Sequence, residues 1–152
     1  MSRRTIPFRL LIVDDLDDQY QLIRRAFEEV MPEAQVIRFA TEEEVIAYLT
    51  DNTVQDEWTF PKLILLDLYL PRRENSWRVL EGVRALPAPL NRVPVVMLSN
   101  SEEPGDIREA YQNGCTSYMV KPSDFSQWVS YFQSVKTYWV DTATLPQMLY
   151  YL

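Results

Sequence analysis

The sequence predicts an α/β fold in which helices cover both faces of a parallel sheet, and two observations predict it. First, five short apolar runs alternate with helix-like segments along the 152 residues. Second, three of these runs are nearly continuous in aliphatic residues, as expected for strands buried on both faces. The runs are FRLLIV (8–13), AQVIRF (34–39), KLILLD (62–67), VPVVML (93–98) and SYMV (117–120). Five βα units joined by right-handed crossovers form one doubly wound sheet.

The segments between the runs carry the signals of helix starts, ends and buried faces. The first segment, about 17–30, has one apolar stripe at helical spacing, formed by Ile23, Ala26, Phe27 and Val30. Thr41 followed by Glu44 is a capping box that opens the second helix. Asn113 and Gly114 are a pair able to close the fourth helix in a left-handed conformation.

The order of the strands places a crevice at one edge of the sheet. In the flavodoxin-like order 2-1-3-4-5 the chain reverses direction between strands 1 and 3, and ligands bind at the carboxyl ends of those strands. The (βα)5 core is expected within residues 1–140. Residues 141–152 are then an apolar C-terminal tail, and no output domain is expected.

Composition excludes several classes of function. The net charge of −7 and a pI of about 4.6 make nucleic acid an unfavourable partner. The chain has no histidine, which excludes histidine-based triads and metal sites, and its only cysteine, Cys115, is expected to be a buried thiol. No apolar stretch is long enough to serve as a signal peptide or to span a membrane, so a cytoplasmic location without membrane attachment is expected.

Polar and charged residues end four of the predicted strands. Asp14 and Asp15 follow strand 1, and Asp67 ends strand 3. Carboxylates meeting at one crevice repel each other unless a cation is bound, and their hard oxygen ligands suit Mg²⁺. Ser99 at the end of strand 4 and Lys121 after strand 5 are groups that bind a phosphoryl oxygen. An aspartate at a strand end is often only a helix cap, but caps have no reason to converge on one crevice.

These residues resemble those of the receiver domains of two-component signalling. The resemblance covers about residues 8–140. It rests on Asp14-Asp15, Asp67-Leu-Tyr-Leu-Pro71, Ser99 and Tyr118-Met-Val-Lys121-Pro122.

The resemblance implies a role for each site residue. Asp67 accepts a phosphoryl group from a phosphohistidine of a sensor histidine kinase. Asp15, Asp67 and the backbone carbonyl of Tyr69 ligate Mg²⁺, and Asp14 acts mainly through a bound water. Lys121 bonds to the phosphoryl group, Ser99 moves toward it, and Tyr118 swings inward as the coupled aromatic residue. Such a protein is a phosphoacceptor that assists its own phosphorylation and dephosphorylation.

Three local features near the site are considered separately: Tyr69, the loop RRENS and the peptide bond before Pro122. Tyr69 is a large ring where the family often has a smaller polar residue, so it is expected to affect the lifetime of the phosphoryl group. The loop RRENS lacks the usual glycine, and Asn75 could supply a positive φ instead. The family usually has a cis peptide bond between the residues equivalent to Lys121 and Pro122.

Two surfaces are predicted for protein partners. The kinase is expected to dock on the first helix, through Leu16, Asp18, Gln19 and an exposed Leu22, which lies about 100° from the buried stripe. The fifth helix, 125–140, has a core stripe formed by Phe125, Trp128, Val129, Phe132 and Trp139, and a second aromatic stripe. This second stripe and the tail predict a homodimer through Tyr131, Val135, Tyr138, Leu145 and Leu149.

The C-terminal sequence also resembles that of regulators paired with phytochrome kinases. The matching residues are Thr137, Thr142, Thr144, Leu145 and Pro146. With no output domain, the signal is expected to leave by protein contact, unless the protein only drains phosphate from a kinase.

Three other functions are alternatives. A nucleotide or flavin binder would need phosphate-binding backbone groups after strand 1, where this chain has the acidic DDLDD. An aspartyl-phosphate hydrolase needs a second acid two residues after the nucleophile, where this chain has Tyr69. A degenerate receiver would act as a constitutive binding module, although this chain keeps every acidic ligand.

Overall fold

The computed structural model describes residues 8–51 and 59–138. Strands and helices alternate along these residues, which confirms the predicted α/β class. They are β1 (Arg9–Val13), α1 (Asp17–Val30), β2 (Gln35–Phe39), α2 (Glu42–Thr50), β3 (Leu63–Asp67), α3 (Arg73–Arg84), β4 (Val95–Ser99), α4 (Pro104–Gln112), β5 (Ser117–Val120) and α5 (Phe125–Val135).

The five strands form one parallel sheet in the predicted order 2-1-3-4-5. β1 lies between β2 and β3, with Val13 opposite Phe39 and Leu66. The carboxyl ends of β1 and β3 are therefore neighbours at one edge of the sheet.

Alternate residues of the central strands enter two separate cores. Leu11, Ile64 and Met97 point to the face covered by α2, α3 and α4. Leu10 and Leu65 point to the opposite face, covered by α1 and α5. Burial on both faces explains why these strands are continuous apolar runs.

The local helix signals act as the sequence predicts. Ile23, Ala26 and Phe27 on α1 are fully buried. The Thr41 side chain accepts a hydrogen bond from the backbone N–H of Glu44 at the start of α2. Gly114, just after α4, has a φ of +103°, which favours glycine because a Cβ atom is strained there.

Two expectations about loop geometry are wrong. Asn75 lies in the first turn of α3, and no residue other than glycine has a positive φ in the described parts of the chain. Its side chain instead accepts a hydrogen bond from the backbone N–H of Arg72, which closes the start of the helix. The cis peptide bonds of the described residues precede Pro71 and Pro89, not Pro122.

The end of the fifth helix differs from the predicted one. α5 ends at Val135, and residues 136–138 continue it as a turn of π-helix. Val135 is only 3% exposed, and it packs in the core shared with α1. Little of the Val135 side chain is therefore accessible in the described chain, and its predicted dimer role stays a prediction.

The other predicted dimer residues divide between this core, the surface and the rest of the chain. Tyr131 is half-buried against the same core, and burial raises the pKa of its hydroxyl to about 12. Tyr138 is exposed. Trp139, Leu145, Leu149 and the rest of the tail lie outside the described residues. None of the described helices is long and apolar enough to cross a membrane.

Candidate functional site

Three carboxylates meet at the carboxyl edge of the sheet, as the sequence predicts. Asp14, Asp15 and Asp67 each offer an oxygen, and these oxygens lie within 4.8 Å of one another. Asp67 is the last residue of β3, and Asp14 directly follows β1. The backbone N–H of Asp14 donates to the carbonyl of Phe39, which extends the pairing of β1 with β2 and fixes the position of Asp14.

Backbone hydrogen bonds hold one oxygen of each buried carboxylate. The N–H of Leu16 donates to Asp14 Oδ1 at 2.9 Å, and the N–H of Tyr69 donates to Asp67 Oδ1 at 3.1 Å. The buried hydroxyl of Ser76 donates to the backbone carbonyl of Asp67. The two carboxylates are thus held by groups two residues further along the chain.

Lys121 lies between Asp67 and the first helix. Its Nζ atom is 3.1 Å from Asp67 Oδ2 and 2.9 Å from Gln19 Oε1. The side chains of Lys121 and Asp67 are each 5% exposed, so this ion pair is almost fully removed from water. The predicted convergence of Lys121 on Asp67 is therefore present in the structure.

Burial and the neighbouring carboxylates disfavour the charged forms of Asp14 and Asp67. Burial raises the pKa of the Asp14 carboxyl to about 6, and the charges of Asp67 and Asp15 act in the same direction. Burial also raises the pKa of Asp67, although the nearby Lys121 opposes this shift. One ammonium group is thus present beside three carboxylates.

The residues of the cluster fit a divalent cation. Asp14 Oδ2 is buried and has no hydrogen-bond partner among the described residues. A buried carboxylate oxygen without a partner is unfavourable, and a cation or its bound water would satisfy it. The hard oxygen donors of the cluster match the preference of Mg²⁺ and Mn²⁺.

Ser99 lies at the end of the neighbouring strand β4. It is 1% exposed, and its Oγ atom accepts a hydrogen bond of 2.9 Å from the N–H of Ser101. The N–H of Lys121 donates to the Ser99 carbonyl at 2.8 Å, so one step of the sheet joins these two residues. The predicted switch residue Tyr118 is half-buried, and its hydroxyl donates to the Ser101 carbonyl at 2.8 Å.

A cavity of about 330 Å³ opens beside the cluster. Its lining contains five predicted site or docking residues, the loop residue Pro71, and one residue that the sequence analysis missed, Asn100. The lining residues are Asp15, Leu16, Asp67, Tyr69, Pro71, Asn100 and Lys121. The position of Asn100, directly after Ser99, is the signal that could have identified it.

A second polar group that the sequence analysis missed joins the two loops beside the cavity. Asp106 on α4 accepts hydrogen bonds from the Ser101 hydroxyl, at 2.7 Å, and from Arg73. The bonds from Ser101 and Arg73 hold the pKa of Asp106 below its usual value. Nothing in the sequence distinguishes Asp106 from an ordinary acidic residue in the first turn of a helix.

The predicted kinase-docking residues line one open groove. Its volume is about 460 Å³, and it is formed by Leu16, Asp17, Asp18, Gln19 and Leu22. Leu16 is 55% exposed, but Leu22 is half-buried against the core shared with α1 and α5. Leu22 is therefore less exposed than predicted, because the helix face it occupies borders the buried stripe.

The fold and the cluster together define a class of protein. A doubly wound sheet that presents three aspartates, a serine and a lysine at one carboxyl edge is the architecture of a phosphate-accepting signalling domain. The model of the response regulator receiver domain family matches residues 10–133, and the chain belongs to this family. Membership supports a phosphoacceptor role in two-component signalling, with a histidine kinase as the phosphodonor, rather than that of a classical enzyme.

The relatives include single-domain regulators. The chain is 31% identical, over 88% of its length and 84% of the relative's, to the probable methanogenesis regulatory protein FilR2 of Methanothrix harundinacea. It is also similar in structure to the phosphorylated cyanobacterial phytochrome response regulator RcpA. Their sequence identity is 30%, the coverage is 93% of this chain and 99% of the other, and the TM-score is 0.78.

A third relative carries a metal. The Mn²⁺-bound form of response regulator Rcp1 is 27% identical, with a TM-score of 0.73 over 92% of this chain and 99% of the other. The metal belongs to that protein; this chain has a cluster of three aspartates at the carboxyl edge of its own sheet.

Proposed function

We propose that this protein is a single-domain response regulator that is phosphorylated on Asp67 by a sensor histidine kinase. The observation that carries the proposal is the position of Asp67, buried at the end of β3 with one oxygen paired to Lys121. Asp14 and Asp15 lie close enough to share a cation with it. The rest of the chain offers no histidine to act as a phosphate carrier, so the donor is a partner.

The proposed reaction is transfer from nitrogen to oxygen. A carboxylate oxygen of Asp67 attacks phosphorus, the bond between phosphorus and the imidazole of the kinase breaks, and the bonding electrons leave with the imidazole. Lys121 holds the incoming phosphoryl oxygens by charge, and the Ser99 hydroxyl donates a hydrogen bond to one of them. Mg²⁺ held by Asp14, Asp15, Asp67 and the Tyr69 carbonyl would neutralise charge that develops during the transfer.

The phosphodonor is proposed to be of the phytochrome type. RcpA is described as a phytochrome response regulator, and this chain covers nearly all of that protein. The groove lined by Leu16, Asp18, Gln19 and Leu22 is the proposed kinase-docking surface, because it is open and lies beside the cavity at Asp67. The signal then leaves by contact with another protein, or the domain drains phosphate from the kinase.

Labelling of Asp67 tests the proposal. Wild-type protein incubated with Mg²⁺ and a phosphorylated kinase, or with acetyl phosphate, is expected to take up one acid-stable, base-labile phosphoryl group. Asp67→Asn is expected to abolish the label because the amide cannot form the acyl phosphate. A label that persists on folded Asp67→Asn would contradict the assignment, and a wild-type protein that is never labelled would favour the constitutive binding module.

We further propose that the protein is a homodimer formed before phosphorylation. Tyr138 is exposed in the turn that continues α5, and the apolar residues Leu145 and Leu149 follow it in the sequence. An aromatic surface next to an apolar segment is typical of an interface between copies. Sedimentation at tens of micromolar is expected to give a dimer, which Tyr138→Glu or deletion of residues 145–152 weakens, and a monomeric wild-type protein would contradict the proposal.

A further inference from the structure

Gln19 on α1 contacts the machinery of the proposed phosphoryl transfer directly. Its side-chain oxygen accepts a hydrogen bond of 2.9 Å from Lys121 Nζ, although the two residues are 102 positions apart in the sequence. Gln19 also lines the groove that is the proposed kinase-docking surface. Gln19 therefore belongs both to the surroundings of Lys121 and to the proposed docking groove. An experiment can separate its effect on phosphoryl transfer from its effect on docking.

The environment of Lys121 explains why this contact matters. An ammonium group has three N–H donors, and Lys121 is almost fully buried. Asp67 Oδ2 and Gln19 Oε1 are its hydrogen-bond acceptors among the described side chains. Without Gln19, Asp67 would be the one acceptor left to the ammonium among the described side chains, and attraction to the carboxylates would hold the ammonium at the acidic cluster.

Phosphorylation would change the two contacts of Lys121 differently. When an oxygen of Asp67 forms its bond to phosphorus, the carboxylate loses its negative charge, and the phosphoryl group brings new anionic oxygens to the same place. Lys121 then has to exchange Asp67 for a phosphoryl oxygen. Gln19 is neutral and lies outside the cluster, so its bond to Lys121 can persist through this exchange.

We propose that Gln19 is a positioning residue that holds the Lys121 ammonium at the mouth of the site, where it meets the incoming phosphoryl group. This inference rests on the proposed phosphorylation of Asp67 and adds a residue to it. A glutamine suits the role because it accepts a hydrogen bond without adding a fourth negative charge beside Asp14, Asp15 and Asp67. Its contribution is separate from kinase docking.

The test compares a small phosphodonor with the kinase. Gln19→Met removes the acceptor and keeps the length of the side chain, and Gln21→Met makes the same change at an exposed position of α1. With Mg²⁺ and phosphoramidate, which needs no docking surface, Gln19→Met is expected to slow phosphorylation about tenfold, the factor typical of one lost hydrogen bond to a charged group. The kinase reaction is expected to slow at least as much, and Gln21→Met to match the wild type in both.

The dependence on Lys121 distinguishes positioning from a general structural effect. In a Lys121→Met background, Gln19→Met is expected to cause no further loss, because its effect acts through the ammonium. Gln19→Ala removes the same acceptor and is expected to behave alike, which provides a second variant if Gln19→Met does not fold.

Two results would overturn the inference while leaving the proposed function intact. One is an unchanged phosphoramidate rate in a folded Gln19 variant that slows only the kinase reaction, which would make Gln19 a docking residue alone. The other is a full additional loss in the Lys121→Met background. A wild-type protein that neither donor phosphorylates would instead refute the proposed function, and this inference with it.

Discussion

The two edges of the sheet bury polar groups in opposite ways. At the carboxyl edge, Asp14 and Asp67 are buried with like charges nearby, and Asp14 Oδ2 has no partner among the described residues. At the amino edge, the Arg84 guanidinium donates to the carbonyls of Gly114, Asn91 and Val93 at 2.7–2.9 Å, and to the Thr116 hydroxyl. At the carboxyl edge one buried carboxylate oxygen has no partner in the described chain, whereas at the amino edge one guanidinium satisfies three backbone carbonyls.

The difference indicates where stability and function are located. Unsatisfied buried carboxylates lower the stability of the folded chain, but they can bind a cation and a phosphoryl group. Arg84 joins the end of α3 to the segments that lead into β4 and β5, at the opposite ends of the strands from the acidic cluster. Substitutions in the acidic cluster should therefore weaken metal binding, and removal of the Asp14 charge should raise stability. Substitution of Arg84 should instead lower stability.

The largest expected effect is on metal affinity at the carboxyl edge. Asp15→Ala is expected to weaken Mg²⁺ binding by roughly 100-fold, because the residue is a proposed direct ligand. Asp14→Ala is expected to weaken it by about tenfold, since Asp14 acts mainly through a bound water. Titration calorimetry with Mg²⁺ measures both constants, and equal losses would contradict the difference between direct and water-mediated ligands.

Arg84 tests the opposite edge. Arg84→Met keeps the aliphatic stem but leaves several buried acceptors without a donor, so the free energy of unfolding is expected to fall by about 2–3 kcal/mol. Arg92→Met, at an exposed arginine of the nearby turn, is the matched control and is expected to change it by less than about 0.5 kcal/mol. Urea unfolding measures both values, and the label on Asp67 should persist in folded Arg84→Met.

Asp14 provides a pH test of the unsatisfied edge in the absence of metal. Its pKa is about 6 in the folded chain against 3.8 for an ordinary aspartate, so the native state binds the proton more tightly. The free energy of unfolding of the wild type, relative to that of Asp14→Asn, is therefore expected to fall as the pH rises from about 4 through 6. With a chelator at pH 7, Asp14→Asn is expected to be about 1–3 kcal/mol more stable than wild type, and near pH 4 the two should be equal. A constant difference across this range would count against burial as the cause.

The smallest expected effect concerns the loops beside the cavity. Tyr69 is 42% exposed and lines the cavity at Asp67, and the Ser101 hydroxyl on the neighbouring loop donates to Asp106. Tyr69→Ala is expected to shorten the half-life of the acyl phosphate roughly threefold by admitting water, a change of less than about 1 kcal/mol in the barrier. Tyr69→Phe, which keeps the ring, and Ser101→Ala should have smaller effects. A dephosphorylation half-life that none of these variants alters would exclude a shielding role.

The sequence predicted the parts of this molecule that depend on periodic patterns. The five strands follow from apolar runs that end in polar residues, and the convergence of Asp14, Asp67 and Lys121 follows once these strands take the flavodoxin-like order. The contacts of Gln19 and Asp106 were not predictable, because each joins elements far apart in the chain through a single side-chain geometry.

The sequence pattern also left the positions of Asn75 and Val135 undecided, because local geometry and packing determine them. Asn75 was expected in a loop, but α3 begins early enough for its side chain to cap the helix. Val135 lies where the two stripes of α5 meet, and the pattern could not decide which stripe would bury it. Packing against α1 decided that question.

The backbone bond between Lys121 and Ser99 has a consequence for protein engineering. Ser99 is opposite Val120 in the register of β4 and β5, and the N–H of the next residue, Lys121, donates to the Ser99 carbonyl, so the spacing of Ser99 and Lys121 is set by the sheet. Substitutions on the outward surface of α4 that leave Asp106 in place should then leave the spacing between Ser99 and Lys121 unchanged. The geometry of the proposed phosphoryl site and the outward surface of α4 can in this sense change independently of each other.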